Sequence, residues 1–307
     1  MGTAKDSYVS LALVMAELPL DQVRTLLAVV DEGTFDAAAA ALHVTPSAVS
    51  QRVKALEQRT GRVLLRRTKP VRPTESGAVL VRFARQLARL ERDARGELGL
   101  SGAGEPTRVS VAVNADSLAT WFLGALTRVR GICFELHRED EDHTVELLRE
   151  GRVMAAVMSS PDPVPGCSVR ALGRMRYLPV ASPEFAGRHL DGPLPDVLRT
   201  APVIVYDRKD DFQDGFVRRL GGPGAGPLRH SVPTSEGFVA AVAAGLGWAM
   251  VPEAQSGPLL RDGRLVLLAP GEWMDVTLYW QQWKLDSPAL AALADAVAAT
   301  AAETLRA

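Results

Sequence analysis

Residues 35–61, FDAAAAALHVTPSAVSQRVKALEQRTG, constrain the fold more than any other stretch of the chain. The alanines favour a short helix that can lie close against a neighbour. A tight turn follows, and Thr45 is placed to cap a second helix with Pro46 at its first position. Val49, Val53 and Leu56 recur on one side of that helix, Ser, Gln and Arg on the other, and Gly61 ends it. Two helices packed at an angle, the second one polar, are what a chain needs to put side chains into a DNA major groove. Upstream, Leu20, Val23, Leu26, Leu27 and Val30 mark an amphipathic helix from Leu20 to Asp31. Gly33 stops it, and Thr34 can cap the next helix, about Phe35 to Leu42. Downstream, Val63–Leu65 and Val71–Thr74 are expected to pair as a two-stranded wing around Lys69–Pro70.

Charge sharpens this reading. The chain carries a net charge of −1, so as a whole it is not a basic nucleic-acid binder. Between Arg52 and Arg72, however, there are eight Lys or Arg against one acid, Glu57, whereas residues 101–307 carry 20 basic and 25 acidic residues. A local basic patch on a near-neutral chain is the electrostatic footprint of a DNA-binding domain joined to something else.

The remainder supplies the something else. Residues 75–98 place Val79, Phe83, Leu87, Leu90 and Ala94 at coiled-coil spacing, which predicts a long helix that either dimerises or packs on the protein's own body. SGAGEPT, 101–107, has linker composition. Beyond it a strand–helix–strand–helix–strand order begins at Arg108: RVSVAV, a helix from about Ser117, ICFELH, HTVELLREG and VMAAVM. That order implies a parallel sheet with helices on its faces. MRYLPVAS, PVIVYD, HSVPT, a helix-then-strand over FVAAVAAGLGWAMVP, LVLL, VTLYWQQWK and a final helix over 287–305 suggest a second lobe that exchanges strands with the first. Such lobes leave a cleft at the carboxyl ends of their strands, where ligands bind.

Other classes fit less well. There is no Walker loop and no G-x-G-x-x-G, and His43, His137, His143, His189 and His230 form no metal spacing. Cys133 and Cys167 are too few and too distant for a metal site or a disulfide framework, which suits reduced thiols in a cytoplasmic protein. Val9–Ala16 is apolar but too short to span a membrane. The helical pattern starts only near Leu18, which makes Met15 a candidate start. An enzyme is therefore disfavoured, with no catalytic residue, metal or cofactor expected. A solute-binding protein fits the second half but not the first.

The motif from GTFDAAAA to EQRTG, the basic wing and the T-x-x-G of Thr74 to Gly77 together resemble the LysR-type transcriptional regulators. The wing has Leu64–Leu65 where that family usually has Leu-Phe. The resemblance implies an α+β winged helix-turn-helix domain, here 18–74 with the helix-turn-helix over 35–54. It further implies a dimerising linker helix over 75–100 and an α/β, two-lobed, periplasmic-binding-protein-like effector domain over 107–307. Lobe I would take about 107–176 and 280–307, and lobe II about 177–279. Implied partners are double-stranded promoter DNA, other copies of the chain as dimer or tetramer, and RNA polymerase indirectly. Through Lys69–Pro70, VNADSLATWF, EDEDHTVELLREG, PVPGC and LYWQQWKLDSP the chain is similar to the branch of this family that controls export of basic amino acids. The implied effector is L-lysine, L-arginine or L-histidine, with a different small molecule as the alternative.

Candidate residues follow by position. Thr45, Pro46, Ser47, Ala48, Ser50, Gln51, Arg52 and Lys54 lie nearest the groove, with Gln51 suited to adenine and Arg52 to guanine or phosphate. Arg66, Arg67, Lys69 and Arg72 of the wing would contact phosphate or the minor groove. A basic amino acid needs a clamp for its carboxylate and negative charge at its far end. For the amino-acid end the candidates are Asn114, Ser117, Thr234 and Ser235. For charge they are Asp140, Asp142 and Asp207, with Asp116, His143 and Glu236 beside them. Asp116 would oppose a carboxylate unless it faces an ammonium. Trp121 is a candidate wall of the pocket.

Overall fold

A computed structural model describes residues 18–98, 100, 107–138 and 141–307. The candidate start at Met15, the linker residues 101–106 and Asp140 lie outside these residues. The chain divides into two compact units: one is N-terminal and takes in Glu146–Val153, and the other comprises Pro106–Val145 and Met154–Ala307.

In the first unit α1 (Leu20–Glu32), α2 (Phe35–Ala41) and α3 (Pro46–Thr60) form a three-helix core. The caps are those the sequence announces. Gly33 and Gly61 close α1 and α3 in the left-handed conformation, and the hydroxyls of Thr34 and Thr45 accept the N–H of Ala37 and Ala48. Val23, Leu26 and Val29 of α1 meet Ala38 and Ala39 of α2 and Val49, Val53 and Leu56 of α3, all buried. The wing is shorter than expected: β1 (Leu65–Arg66) runs antiparallel to β2 (Arg72–Pro73). The ladder is cut short beyond Leu65, where the Leu64 N–H donates to the Glu57 carboxylate at 2.8 Å instead of across the wing. Thr74 N–H donates to the Leu64 carbonyl, and the Thr74 hydroxyl donates to the Val63 carbonyl at 2.7 Å while accepting the Gly77 N–H at 3.0 Å. This explains the T-x-x-G motif. Thr74 caps α4 (Glu75–Glu97) and pins it to the wing, and at Gly77 a Cβ would stand 1.9 Å from the Leu64 carbonyl oxygen.

Helix α4 presents two apolar faces. Leu80, Val81 and Ala84 pack into the winged core, and Arg24–Glu91 and Arg85–Asp31 ion pairs tie α1 to α4. Val79, Phe83 and Leu90, three members of the expected seam, stay exposed.

The second unit begins with β3 (Thr107–Val113), followed by α5, a helix in three pieces: Ala115–Ser117, a π turn Leu118–Phe122, and Leu123–Leu126. Then come β4 (Ile132–His137), α6 (Glu141–Glu150), whose residues from Glu146 on count with the first unit, and β5 (Ala155–Met158). β3 lies parallel to both β4 and β5, as the alternating order requires. β6 (Cys167–Ala181) is twice the length read from MRYLPVAS, because its first half alternates Arg170 and Arg174 with smaller residues and carries a left-handed Gly173. α7 (Pro183–His189), α8 (Leu194–Leu198), β7 (Val203–Val205), α9 (Phe212–Arg219), β8 (Arg229–Ser231), α10 (Ser235–Ala243), β9 (Ala249–Pro252), α11 (Glu253–Arg261) and β10 (Val266–Leu267) build the second lobe. β11 (Met274–Trp283) returns antiparallel to β6 and β5, and α12 (Pro288–Thr304) packs on the first lobe.

The sheet order is β10-β6-β11-β5-β3-β4, with β9 on the other edge of β6, so the sheet is mixed rather than purely parallel. β6 and β11 are the two strands shared by the lobes. Their register slips between Leu278 and Tyr279, opposite Gly173, and there Arg306 pairs with Arg174 along the remaining edge of β6. A Cβ on Gly173 would meet the Arg306 carbonyl and Leu305 at 2.9 Å. The second lobe has apolar layers on both faces: Phe185, Phe216 and Trp248 on one, and Phe238, Val242 and Leu265 on the other. Among the described residues no helix is long and apolar enough to cross a membrane, and no group of side chains could hold a metal ion.

Candidate ligand cavity and nucleic-acid interface

The carboxyl ends of β3, β4, β5 and β7 and the starts of α10 and α11 converge on a cavity of about 500 Å³, within the size range of small-molecule sites. Its floor is Asp116, one residue into α5. Asp116 Oδ2 accepts the Tyr177 hydroxyl at 2.7 Å, and Oδ1 accepts the Ser235 hydroxyl at 2.7 Å. One carboxylate thus joins the first lobe, the shared strand β6 and the second lobe. Burial and the Asp116 charge hold the Tyr177 phenol well above its ordinary pKa, so it remains a donor.

Two further carboxylates come from the turn after β7. Asp207 Oδ1 accepts the N–H groups of Lys209 and Asp210, and Asp210 accepts those of Tyr206 and Phe212. Burial raises the Asp210 pKa, the two N–H groups oppose that shift, and the Asp207 charge adds to it. Opposite stands Arg138, directly after β4, donating to the Tyr206 hydroxyl at 3.3 Å and the Pro233 carbonyl at 3.2 Å. Burial raises the Tyr206 pKa, against the Arg138 charge, which lowers it. Among the described lining residues, three carboxylates and one guanidinium therefore face the cavity.

Of the candidates named from sequence, Asn114, Asp116, Asp207 and Ser235 are brought together here. Asn114 has its side-chain oxygen engaged, since it caps α5 by accepting the Ser117 N–H at 2.8 Å. Other candidates are placed elsewhere. Trp121 does not line this cavity; it is buried edge-on against Phe122, in the π turn that follows Asp116. Ser117 is buried one position round from Asp116. The Thr234 side chain lies over Gly237, whose Cβ would meet its hydroxyl at 2.4 Å, so only the neighbours Pro233 and Ser235 reach the cavity. Glu236 and His143 are exposed and outside the lining. The Asp142 side chain, like Asp140, lies outside the described residues. Sequence reasoning passed over Arg138, Tyr177, Tyr206 and Gln255. Arg138 carried a usable signal: it is the first residue after β4, at the strand end where the cleft was expected, just ahead of the acids that drew attention.

In the first unit, Thr45, Pro46, Ser47, Ser50, Gln51 and Lys54 are exposed along one side of α3, and Ala48 is half-buried. Arg52 turns away from that side toward α1, 3.5 Å from the Thr25 hydroxyl and 3.8 Å from the Asp21 carboxylate. In the wing, Arg66, Arg67, Lys69 and Arg72 are all exposed, and the Arg67 guanidinium stands 5.5 Å over the Phe35 ring. Arg66 and Arg72 are direct cross-strand partners. Like charges directly opposite destabilise a strand pair, a cost that an anion between them removes.

Residues 20–78 match the family model described as bacterial regulatory helix-turn-helix protein, lysR family, and residues 102–302 match that described as LysR substrate binding domain. The chain is 48% identical over 295 residues to the HTH-type transcriptional regulator LysG of Mycobacterium tuberculosis, covering 96% of this chain and 97% of the relative. It is 43% identical over 293 residues to the lysine export transcriptional regulatory protein LysG of Corynebacterium glutamicum, covering 93% and 98%. The solved structure of full-length LysG from Corynebacterium glutamicum with bound effector Arg is similar with a TM-score of 0.83 at 42% identity, covering 94% of this chain and all of that one (100%).

Proposed function

Since the chain belongs to the LysR family of DNA-binding transcriptional regulators, we propose that its second unit senses a basic amino acid, arginine or lysine foremost. The observation that carries this reading is the charge count of the cavity: three carboxylates, Asp116, Asp207 and Asp210, against one guanidinium, Arg138. The complementary ligand has two cationic groups and one carboxylate, which is a basic amino acid. Arg138 takes the carboxylate. Asp116 takes one cation, with Tyr177 and Ser235 holding its oxygens in place, and the Asp207–Asp210 turn takes the other. A neutral amino acid would leave one acidic site without a partner, and an unpaired buried charge is costly. The arginine-bound relative supports the assignment, and the name of the other relative points to an exporter gene as the regulated target.

The ligand would bridge groups from both lobes, so it stabilises the arrangement in which Asp116 meets Ser235. Such a ligand shifts an equilibrium only by its difference in affinity for the two states, and that difference is what a DNA-bound regulator can transmit. On the DNA side, Ser47, Ser50, Gln51 and Lys54 of α3 face the major groove, with Gln51 reading adenine. The Arg66–Arg72 pair and Lys69 hold phosphates. The exposed Val79, Phe83 and Leu90 face of α4 pairs with a second copy, giving two readers for two half-sites. The test is isothermal titration of the full chain with arginine, lysine, histidine, leucine and glutamate, beside footprinting with and without ligand. Binding of leucine or glutamate in preference to the basic amino acids would overturn the reading.

A further inference from the structure

β5 and β6 both run antiparallel to β11 and flank it, so they are parallel to one another. The connection between them, residues 159–166, must cross the face of β11. Parallel strands are usually joined by a dozen or more residues containing a helix. Here the crossing is made by Ser-Ser-Pro-Asp-Pro-Val-Pro-Gly. Pro161, Pro163 and Pro165 have no N–H, and the segment forms no strand ladder, so its remaining polar backbone groups need other partners. Asp162 N–H donates to the Ser160 hydroxyl at 3.2 Å, and the carbonyls of Val164 and Gly166 accept the N–H groups of Cys167 at 2.9 Å and Lys284 at 3.0 Å.

One side chain supplies three more. Gln281, two residues before the end of the crossed strand and paired there with both β5 and β6, is fully buried, and its amide is used on both sides. Oε1 accepts the Val164 N–H at 3.0 Å, while Nε2 donates to the carbonyls of Ser160 at 3.2 Å and Asp162 at 2.8 Å. Only an amide can accept one bond and donate two in this geometry. The first residue of the crossing, Ser159, lines the cavity.

We infer that Gln281 is a positioning residue for the effector: through three hydrogen bonds it fixes the 159–166 crossing and so holds Ser159 at the cavity, without touching the ligand itself. The inference rests on the effector reading given above. A site left loose by its supporting layer loses affinity even when every contacting residue is present.

The test is a double-mutant cycle on the full chain, read as the Kd for arginine by titration calorimetry. Gln281→Met should weaken binding severalfold, the scale of one hydrogen bond. Ser159→Ala should weaken it severalfold, and adding Ser159→Ala to Gln281→Met should cause no further loss, because Ser159 is already displaced. Additive losses, or a Gln281→Met protein that binds arginine as the parent does, overturn the inference. If Gln281→Met does not fold, Pro163→Gly, which loosens the same crossing while keeping the amide, must give the loss and the same non-additivity, and its failure to do so also overturns the inference. Arg138→Ala separates the two readings. If it abolishes tight binding while Gln281→Met does nothing, only the inference falls. If neither Arg138→Ala nor Ser159→Ala alters binding, the cavity reading falls and takes the inference with it.

Discussion

Arg138 offers the most direct access to the chemistry of the cavity. It is the lone cationic side chain among the described lining residues, and its own hydrogen bonds, at 3.2 and 3.3 Å to Pro233 and Tyr206, are long ones. Replacing it with alanine therefore costs the fold little, since those contacts are exposed and near the limit of hydrogen-bond geometry. What it removes is the partner of the ligand's carboxylate. A hydrogen bond to a charged group is worth about 1.5–3 kcal/mol, and each 1.4 kcal/mol is about tenfold in Kd, so arginine binding should weaken roughly ten- to hundredfold. The carboxylate can also be removed from the ligand instead. Argininamide keeps the guanidinium and the α-ammonium and carries a neutral carboxamide. The parent protein should prefer arginine over argininamide by a similar factor, and Arg138→Ala should lose most of that preference while its melting temperature without ligand stays near the parent's. Calorimetry with both ligands on both proteins closes the cycle. An Arg138→Ala protein that still discriminates fully against argininamide would refute the assignment of the carboxylate to Arg138, whatever its absolute affinity.

Four further outcomes are expected. Asp116→Asn removes the charge on which the Tyr177 and Ser235 hydroxyls converge and should weaken arginine binding by at least tenfold, measured by thermal shift and titration; an unchanged Kd would place the ligand elsewhere. Binding should also depend on pH through Asp210, whose pKa is raised. A carboxyl with a raised folded pKa stabilises the protein below its unfolded pKa, and that contribution is lost as the pH climbs through the folded value; a bound cation offsets the loss. The stabilisation by arginine should thus grow over that interval, and a pH-independent thermal shift there, or one that Asp210→Asn leaves unaltered, contradicts the role. Gln51→Ala should relax base preference, whereas Arg66→Ala should weaken specific and random DNA alike and flatten the salt dependence; fluorescence anisotropy on both DNAs at several salt concentrations separates them, and interchanged patterns would refute the assignment. Gly77→Ala sets a methyl 1.9 Å from the Leu64 carbonyl and should cost about 1–3 kcal/mol of stability, visible as a lowered denaturation midpoint.

The first unit was legible because its signals are local. Caps at Thr34 and Thr45, stops at Gly33 and Gly61, and valines at helical spacing each act within one turn, and the helices follow them closely. The cavity was legible only where a residue sits next to a strand end recognisable by itself, as Asp116 and Asp207 do. Tyr177 escaped because it lies in the interior of β6, a strand whose course between lobes is set by pairing with β11 and β9, far off in sequence. Gln255 escaped because its place in the cavity depends on α11, a helix whose sequence, EAQSGPLLR, has no clear periodicity and a proline inside. Trp121 and Thr234 illustrate the opposite error. Both are close to the cavity in sequence, yet a π turn and a neighbouring glycine decide where such side chains go.

β4 closes one end of the large sheet, and its outward face carries Cys133, while the chain's second thiol, Cys167, is buried. A thiol-directed dye should therefore attach at one position under native conditions. That position is five residues ahead of Arg138 on the same strand and its exit. The strand can thus serve as a built-in attachment point for a fluorescent reporter of lobe movement, with no engineered cysteine and with Cys133→Ser as the blank.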